Sequence, residues 1–487
     1  RMKKISCTLL VILFALGFAS AQHFDQYFIN KNLRVNYLHI GNFTNESLKI
    51  DHYTAGGTWN GTRQYLIEPN SYGDIMIEVF DSVSNKLIFS RSYSCLFTEY
   101  RTTEKGQVEE AYMEESINIP FPKNTVLLKF TSFDRKRNGA ELLKQYFNPQ
   151  TTPTVPLSKQ YKTMNLHIGN KSDKAIDILF IPDGYAKSDA KLLKHDMKRF
   201  ASYVMNCSPY KEMKNKVNVR AIKGYSEDSG ITQPQNNIYK KTLVNTAYNA
   251  LDLDRYLMCD GVWHLNDVAD DAPYDAIVII CNSEKYGGGG IYNFYCTVYN
   301  HGEYPDYVIV HEMGHLIGGL GDEYYTSEVS VQDFYPAGVE PVEPNLTTLV
   351  DFESKWKNML PEGTPIPTPV TGKNTPEYNR LGVYEGGGYV GKGVYRPAQH
   401  CTMHQIRYND FCPVCKKTLE EVIDCHARYF LAEASDHSPI TDHYAFLILY
   451  MSSTFCISMA MVMGPTPPGT GVAALKRCSS ASRVRGL

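Results

Sequence analysis

The sequence predicts a multi-domain protein in which an all-β sandwich over residues 22–147 precedes an α/β domain over residues 158–430. Three observations carry this expectation. Apolar and polar residues alternate early in the chain, a Pro- and Thr-rich break falls at residues 148–157, and short apolar runs then alternate with helical patterns. The chain has 487 residues, 43% hydrophobic and 21% charged, which suits two or three ordinary globular domains. A net charge of −3 provides no basic footprint, so nucleic acid is not an expected partner. The 35 tyrosines read as half-buried strand faces and loop anchors.

Met2, Lys3 and Lys4 form a basic head, residues 5–18 are apolar, and Ala19, Ser20 and Ala21 offer a small-residue cleavage site. Residues 1–21 therefore read as a secretory signal, and a secreted, periplasmic or cell-surface protein is expected. The runs LRVNYLHI, DIMIEVFD, KLIFSRSY and TVLLKFTSF then alternate between Gly, Asn, Asp and Pro turns, the pattern of half-buried strands. No catalytic constellation is visible among them, which leaves a scaffold or docking role. NPQTTPTVPL at residues 148–157 suits an extended linker.

Beyond the linker, IDILFIP (176–182) and DAIVIIC (275–281) have the length and composition of buried strands, while residues 188–205 and 239–258 carry helical periodicity. Asp183, Gly184 and Tyr185 read as a plain turn. Gly287 to Gly290 is not a phosphate loop, because no Lys-Ser or Lys-Thr pair follows it. It is expected to form a flexible rim beside an edge strand able to bind extended peptide by β-augmentation.

The most specific run is HEMGHLIGGLGDE at residues 311–323. His311 and His315 lie four apart, so on a helix their imidazoles share one face and can grip one Zn²⁺. Glu312 sits beside the first imidazole, placed to take a proton from an attacking water as general base. Pro305 suits a first helical turn, Tyr307 to Val310 with Leu316 and Ile317 continue a buried helix, and Gly318, Gly319 and Gly321 end it. The chain can then swing back to deliver a third ligand, as in the metzincin pattern HExxHxxGxxH. Gly321 stands where that pattern has its third histidine. Asp322 is preferred as the replacement because its shorter side chain suits a tight return, with Glu323 the alternative. Met403, in the CTMH run at 401–404, falls where metzincins place a methionine turn, an apolar floor under the ligands. His404, Tyr395 and Arg396 are the nearest candidates for stabilising an oxyanion.

Residues 325–392, rich in Pro and Gly, are too long for an idle connector and are expected to wrap the cleft. Without the signal, eleven of the 12 cysteines remain, an odd number that cannot all pair internally. Cys412 and Cys415 form a lone CPVC with a structural role; Cys401 and Cys425 are nearby, but the second half of a Cys₄ site is missing. The tail at 431–487 differs in composition. Its residues 444–464 carry no charge and are long enough to cross a bilayer, ahead of basic Lys476, Arg477, Arg483 and Arg485. A membrane anchor there competes with a buried hairpin or a shifted reading frame, which together are preferred, and this tail is the one route by which membrane association is possible.

Four runs together resemble the IgA peptidase family of zinc metallopeptidases: HEMGHLIGGLGDEY (311–324), YGGGGIYNFYC (286–296), KGVYRPAQHCTM (392–403) and FCPVC (411–415). The resemblance covers residues 24 to about 430. It implies an amino-terminal β-rich domain before a metzincin-like catalytic domain, zinc held by His311, His315 and Asp322, catalysis by Glu312 and a methionine turn at Met403. It does not imply that immunoglobulin A is the substrate. The expectation is a secreted zinc-dependent endopeptidase acting on a protein or peptide. Two alternatives stay open: a zinc amidase or aminopeptidase on short or cell-wall peptides, and a non-catalytic surface adhesin with a structural metal.

Overall fold

The computed structural model describes residues 24–427 except 158, 326–334, 337 and 409. The signal read at residues 1–21 and the tail at 431–487, with its uncharged run, lie outside the described residues. Among the described residues no helix is long and apolar enough to cross a membrane.

The amino-terminal part is β-rich, in the order α1 (Phe24–Tyr27), β1 (Phe28–Gly41), β2 (Glu46–Gly56), β3 (Ile75–Asp81), β4 (Leu87–Tyr93), α2 (Leu96–Tyr100), β5 (Ala111–Pro122), β6 (Val126–Phe133), β7 (Gly139–Phe147) and β8 (Val155–Pro156). The strands form two four-stranded sheets, β5-β1-β2-β8 and β4-β3-β6-β7. Period two sets their core. Ile75, Ile77 and Val79 of β3 face it with Val126, Leu128 and Phe130 of β6 and Leu33, Val35 and Tyr37 of β1. Arg34 and Asn36, on the opposite face of β1, are buried as well. That face packs on the rest of the molecule: the Arg34 guanidinium bonds the carboxylates of Asp267 and Asp270, and the Trp263 indole donates to the Glu115 carbonyl at 3.0 Å. The extended linker expected over 148–157 does not form: the Thr152 N–H returns to the Asn148 carbonyl at 2.8 Å in a turn, and Val155–Pro156 then pairs in parallel with β2 as β8.

The second part runs β9 (Lys162–Ile168), β10 (Ile176–Asp183), α3 (Ala190–Asn206), β11 (Val217–Lys223), β12 (Thr246–Ala247), β13 (Met258–Cys259), α4 (Val262–Ala269), β14 (Ala276–Cys281), β15 (Gly288–Gly290), β16 (Tyr295–Tyr299), α5 (Pro305–Gly318), β17 (Tyr384–Gly387), β18 (Val390–Arg396) and α6 (Pro413–Ala427). Its mixed sheet has the order β15-β16-β14-β10-β11-β9, with four parallel central strands and antiparallel edges. Every residue of β10 and β14 is buried because both faces are covered. Ile176, Ile178 and Phe180 pack with α3, α5 and α6, whereas Leu179 and Ile181 pack with α4.

The helix expected over 239–258 does not form. Asp183, fully buried at the end of β10, accepts hydrogen bonds from the backbone N–H groups of Val244 and Thr246 at 2.9 and 3.0 Å, taking donors a helix would need. Asn245, Asn249, Leu251 and Asp252 adopt left-handed backbone angles, which an α-helix excludes. The turn after β10 is therefore not a plain one; its aspartate anchors a long loop.

Candidate active site

Helix α5 carries His311, Glu312 and His315. Pro305 opens it, with Tyr304 in the left-handed region supplying the bend into the first turn. It stops at Gly318 because Gly319 takes a φ of 57°, a conformation that disfavours a side chain, and the Leu320 N–H returns to the Gly314 carbonyl at 3.2 Å. The reversed chain brings Asp322 back to the helix. His311 Nε2 and His315 Nε2 lie 3.1 and 3.3 Å from Asp322 Oδ1, and 3.2 Å from each other.

Ligand atoms held tetrahedrally at zinc distances of about 2.0–2.1 Å stand roughly 3.3 Å apart, so this triangle has the dimensions of three zinc ligands. The second nitrogen of each ring fixes the tautomer. His311 Nδ1 donates to the Thr402 carbonyl at 2.9 Å and His315 Nδ1 to the Leu320 carbonyl at 2.5 Å, which leaves both Nε2 lone pairs facing Asp322 when the rings are neutral. Asp322 Oδ2 accepts from the Tyr324 and Tyr389 hydroxyls, whereas the buried Oδ1 faces the two imidazole nitrogens. Three electron-rich atoms this close require protons or a cation between them. Without a cation, burial works against charge on His315, but the Asp322 carboxylate prevails and raises the imidazole to about 9. The donor set, two imidazoles and a carboxylate, fits zinc and leaves a fourth position open.

Glu312 offers an oxygen within 4.8 Å of both imidazole nitrogens, and burial raises its carboxyl above the ordinary value. Strand β15 runs beside it. A Cβ added to Gly290 would stand 2.5 Å from the Glu312 carbonyl oxygen, and one added to Gly288 3.2 Å from Glu312 Oε1. These glycines are present because the edge strand lies against the helix backbone; of the run 287–290 expected as a rim beside an edge strand, Gly288–Gly290 are themselves that strand.

Met403 is fully buried beneath α5, where a Cβ on Gly314 would come 2.7 Å from its sulfur. Its carbonyl accepts the Glu323 N–H at 2.8 Å, tying its turn to the Asp322 segment. Asn345, from the Pro- and Gly-rich stretch, clasps the same segment, bonding both backbone groups of Gly321 at 2.8 Å. Glu323 is not brought to the imidazoles: its Oε1 meets Asn345 Nδ2 at 3.0 Å and Cys415 Sγ at 3.3 Å. His404 stacks on Tyr325, where burial lowers its imidazole to about 4. Tyr395 pairs through its backbone with Thr347, and Arg396 donates to the carbonyls of Glu385 and Gly386. None of His404, Tyr395 and Arg396 lines the cleft over the triangle.

That cleft has a volume of about 900 Å³ and is walled from both parts of the molecule, by Glu99, Arg101 and Arg135 on one side and Arg255, Tyr286 and Tyr389 on the other. The comparisons agree with this architecture. Residues 165–380 and 371–423 match the family description of the IgA peptidase M64, and residues 23–144 match that of the peptidase M64 N-terminus. The chain belongs to the M64 IgA peptidase family. No curated protein matches it. M64 membership makes it a peptidase, a hydrolase whose substrates are proteins or peptides, and a metal site accords with that family.

Sequence reasoning about this M64 peptidase missed Arg255, Tyr286, Tyr324, Tyr389 and Asn345. Tyr286 opens the run YGGGG and Tyr324 directly follows HEMGHLIGGLGDE, so membership of the two most recognisable runs was the available signal. Arg255, Asn345 and Tyr389 come from irregular segments whose approach to the helix is set by tertiary contacts alone.

Proposed function

We propose that this M64 peptidase is an exported, zinc-dependent endopeptidase whose metzincin-like second part holds the ion on His311, His315 and Asp322, with Glu312 as general base. The observation that carries the reading is the 3.1–3.3 Å triangle formed by the two Nε2 atoms and Asp322 Oδ1, with each ring's Nδ1 held by a backbone carbonyl. When bound, zinc supplies Lewis acidity toward the scissile carbonyl and makes water acidic near neutral pH. The chain's own residues do the rest. The Glu312 carboxylate takes a proton from the attacking water and returns it to the nitrogen of the leaving amine, so it ends the cycle unchanged. Tyr324 and Tyr389 hold Asp322 Oδ2, which keeps Oδ1 turned to the imidazoles. Thr402 and Leu320 hold the two rings by their carbonyls.

Substrate backbone would pair with β15. Tyr256 already bridges Gly288, so pairing would begin at Gly290, the glycine against Glu312. A cleft walled by both parts of the molecule suits an extended chain and favours an endopeptidase over an aminopeptidase confined to a chain end. Export rests on residues 1–21.

Incubating the purified protein and a Glu312→Gln variant with a proteome-derived peptide library, with and without chelator, tests this. Cuts should vanish with chelator and in the variant, while the variant keeps its metal. Cuts that persist in Glu312→Gln would remove the general-base assignment.

A further inference from the structure

The cluster that captures Glu323 is built from three segments. Glu323 follows the catalytic-site aspartate, Cys401 precedes Thr402 and Met403, and Cys412 and Cys415 sit at the start of the 15-residue helix α6. One ligand atom from each of the four lies within 4.8 Å of all the others. All four are buried, and Glu323 Oε2 has no hydrogen-bond partner. Cys401 Sγ and Cys415 Sγ are 3.8 Å apart, and Glu323 Oε1 is 3.3 Å from Cys415 Sγ. Thiolates at about 2.3 Å from a tetrahedral zinc stand roughly 3.8 Å apart, whereas a disulfide would need about 2.05 Å.

We infer that Cys401, Cys412, Cys415 and Glu323 form a second, closed metal site, separate from the catalytic triangle, that takes a thiophilic divalent cation of the zinc class. Three sulfurs and one carboxylate select zinc over magnesium or calcium. Four protein ligands leave no position for water or substrate, so the site is structural. Cys412 and Cys415 have the two-residue spacing of a zinc knuckle, and the Cys412 N–H donates to Cys401 Sγ at 3.3 Å, a bond that favours sulfur as thiolate. The missing second half of the CPVC pair is thus supplied by one distant cysteine and one carboxylate.

The cation would staple together the two segments that shape the catalytic site. Glu323 is bonded through its backbone to Met403, and Cys401 adjoins Thr402, whose carbonyl orients His311. These ligands are positioning residues. They act on Asp322 and His311 through the backbone and do not touch substrate.

The test uses the full-length protein, loaded with zinc or with cobalt as a spectroscopic substitute. Elemental analysis should find about two zinc ions per chain in the wild type and about one in His315→Ala. The cobalt-loaded wild type and His315→Ala proteins should both show an intense near-ultraviolet thiolate-to-cobalt band, which two imidazoles and a carboxylate cannot give. A single zinc ion without that band overturns the inference and leaves the catalytic proposal standing. A single zinc ion with it supports the cluster and counts against the catalytic site. Should His315→Ala fail to fold, thiol labelling of denatured, unreduced wild type decides. Unlabelled Cys401, Cys412 or Cys415, paired as a disulfide, would also overturn the inference.

Discussion

Asp322 and Glu323 are chemically similar neighbours that point to different sites. Asp322 faces the imidazoles, while Glu323 is held away from them by Asn345 and Cys415. Length favoured Asp322 from the sequence, but the partners awaiting Glu323 could not be read there, because Cys401, Cys412 and Cys415 are about eighty to ninety positions downstream. Glu312→Gln is expected to lower kcat by at least about 10²–10⁴-fold, the usual worth of a general base, at unchanged zinc content. Met403 reads differently, as packing. Met403→Ala should cost about 2–5 kcal/mol in urea unfolding, as buried Met truncations do, and Met403→Leu less than about 1.5 kcal/mol. Equal losses for the two would show that the sulfur does more than fill space under Gly314.

At the scale of elements, α5 was legible from end to end, because its Pro start, apolar face and glycine stop are local signals. β15 was not. A run of glycines carries no periodicity, and its strand character comes from pairing with β16 and from the helix it lies against. Gly290→Ala is expected to push strand and helix apart and cut kcat/KM by about tenfold or more, the cost of an overpacked contact. Gly391→Ala, at a position where an added Cβ meets nothing within 4 Å, is the control and should leave turnover unchanged. Comparable kinetics in the two variants would remove the close-approach explanation for the glycine strand. The segment 239–258 failed as a helix for the converse reason: its periodicity was real, but a buried aspartate sixty positions upstream claimed its amides.

For the whole molecule, the alternating β-rich part and the strand–helix part were both visible in the sequence, but their joint was not. Arg34 looks like an ordinary outward residue of an alternating strand, and only the packed structure shows it buried against Asp267 and Asp270. Arg34→Ala strands buried Asp270 without its partner and should cost about 3–5 kcal/mol, the loss seen when one member of a buried ion pair is removed. Chemical denaturation checks this, and a loss below about 1 kcal/mol would mean the two parts are held together by other contacts. The joint matters because the β-rich part supplies one wall of the cleft. The central claim, however, is the ion at the foot of that cleft. Anomalous diffraction at the zinc edge from crystals of the intact protein tests it most directly. The account predicts a peak about 2.0–2.1 Å from His311 Nε2, His315 Nε2 and Asp322 Oδ1, with no fourth side chain in contact. No peak there, or a fourth protein ligand closing the site, would contradict it.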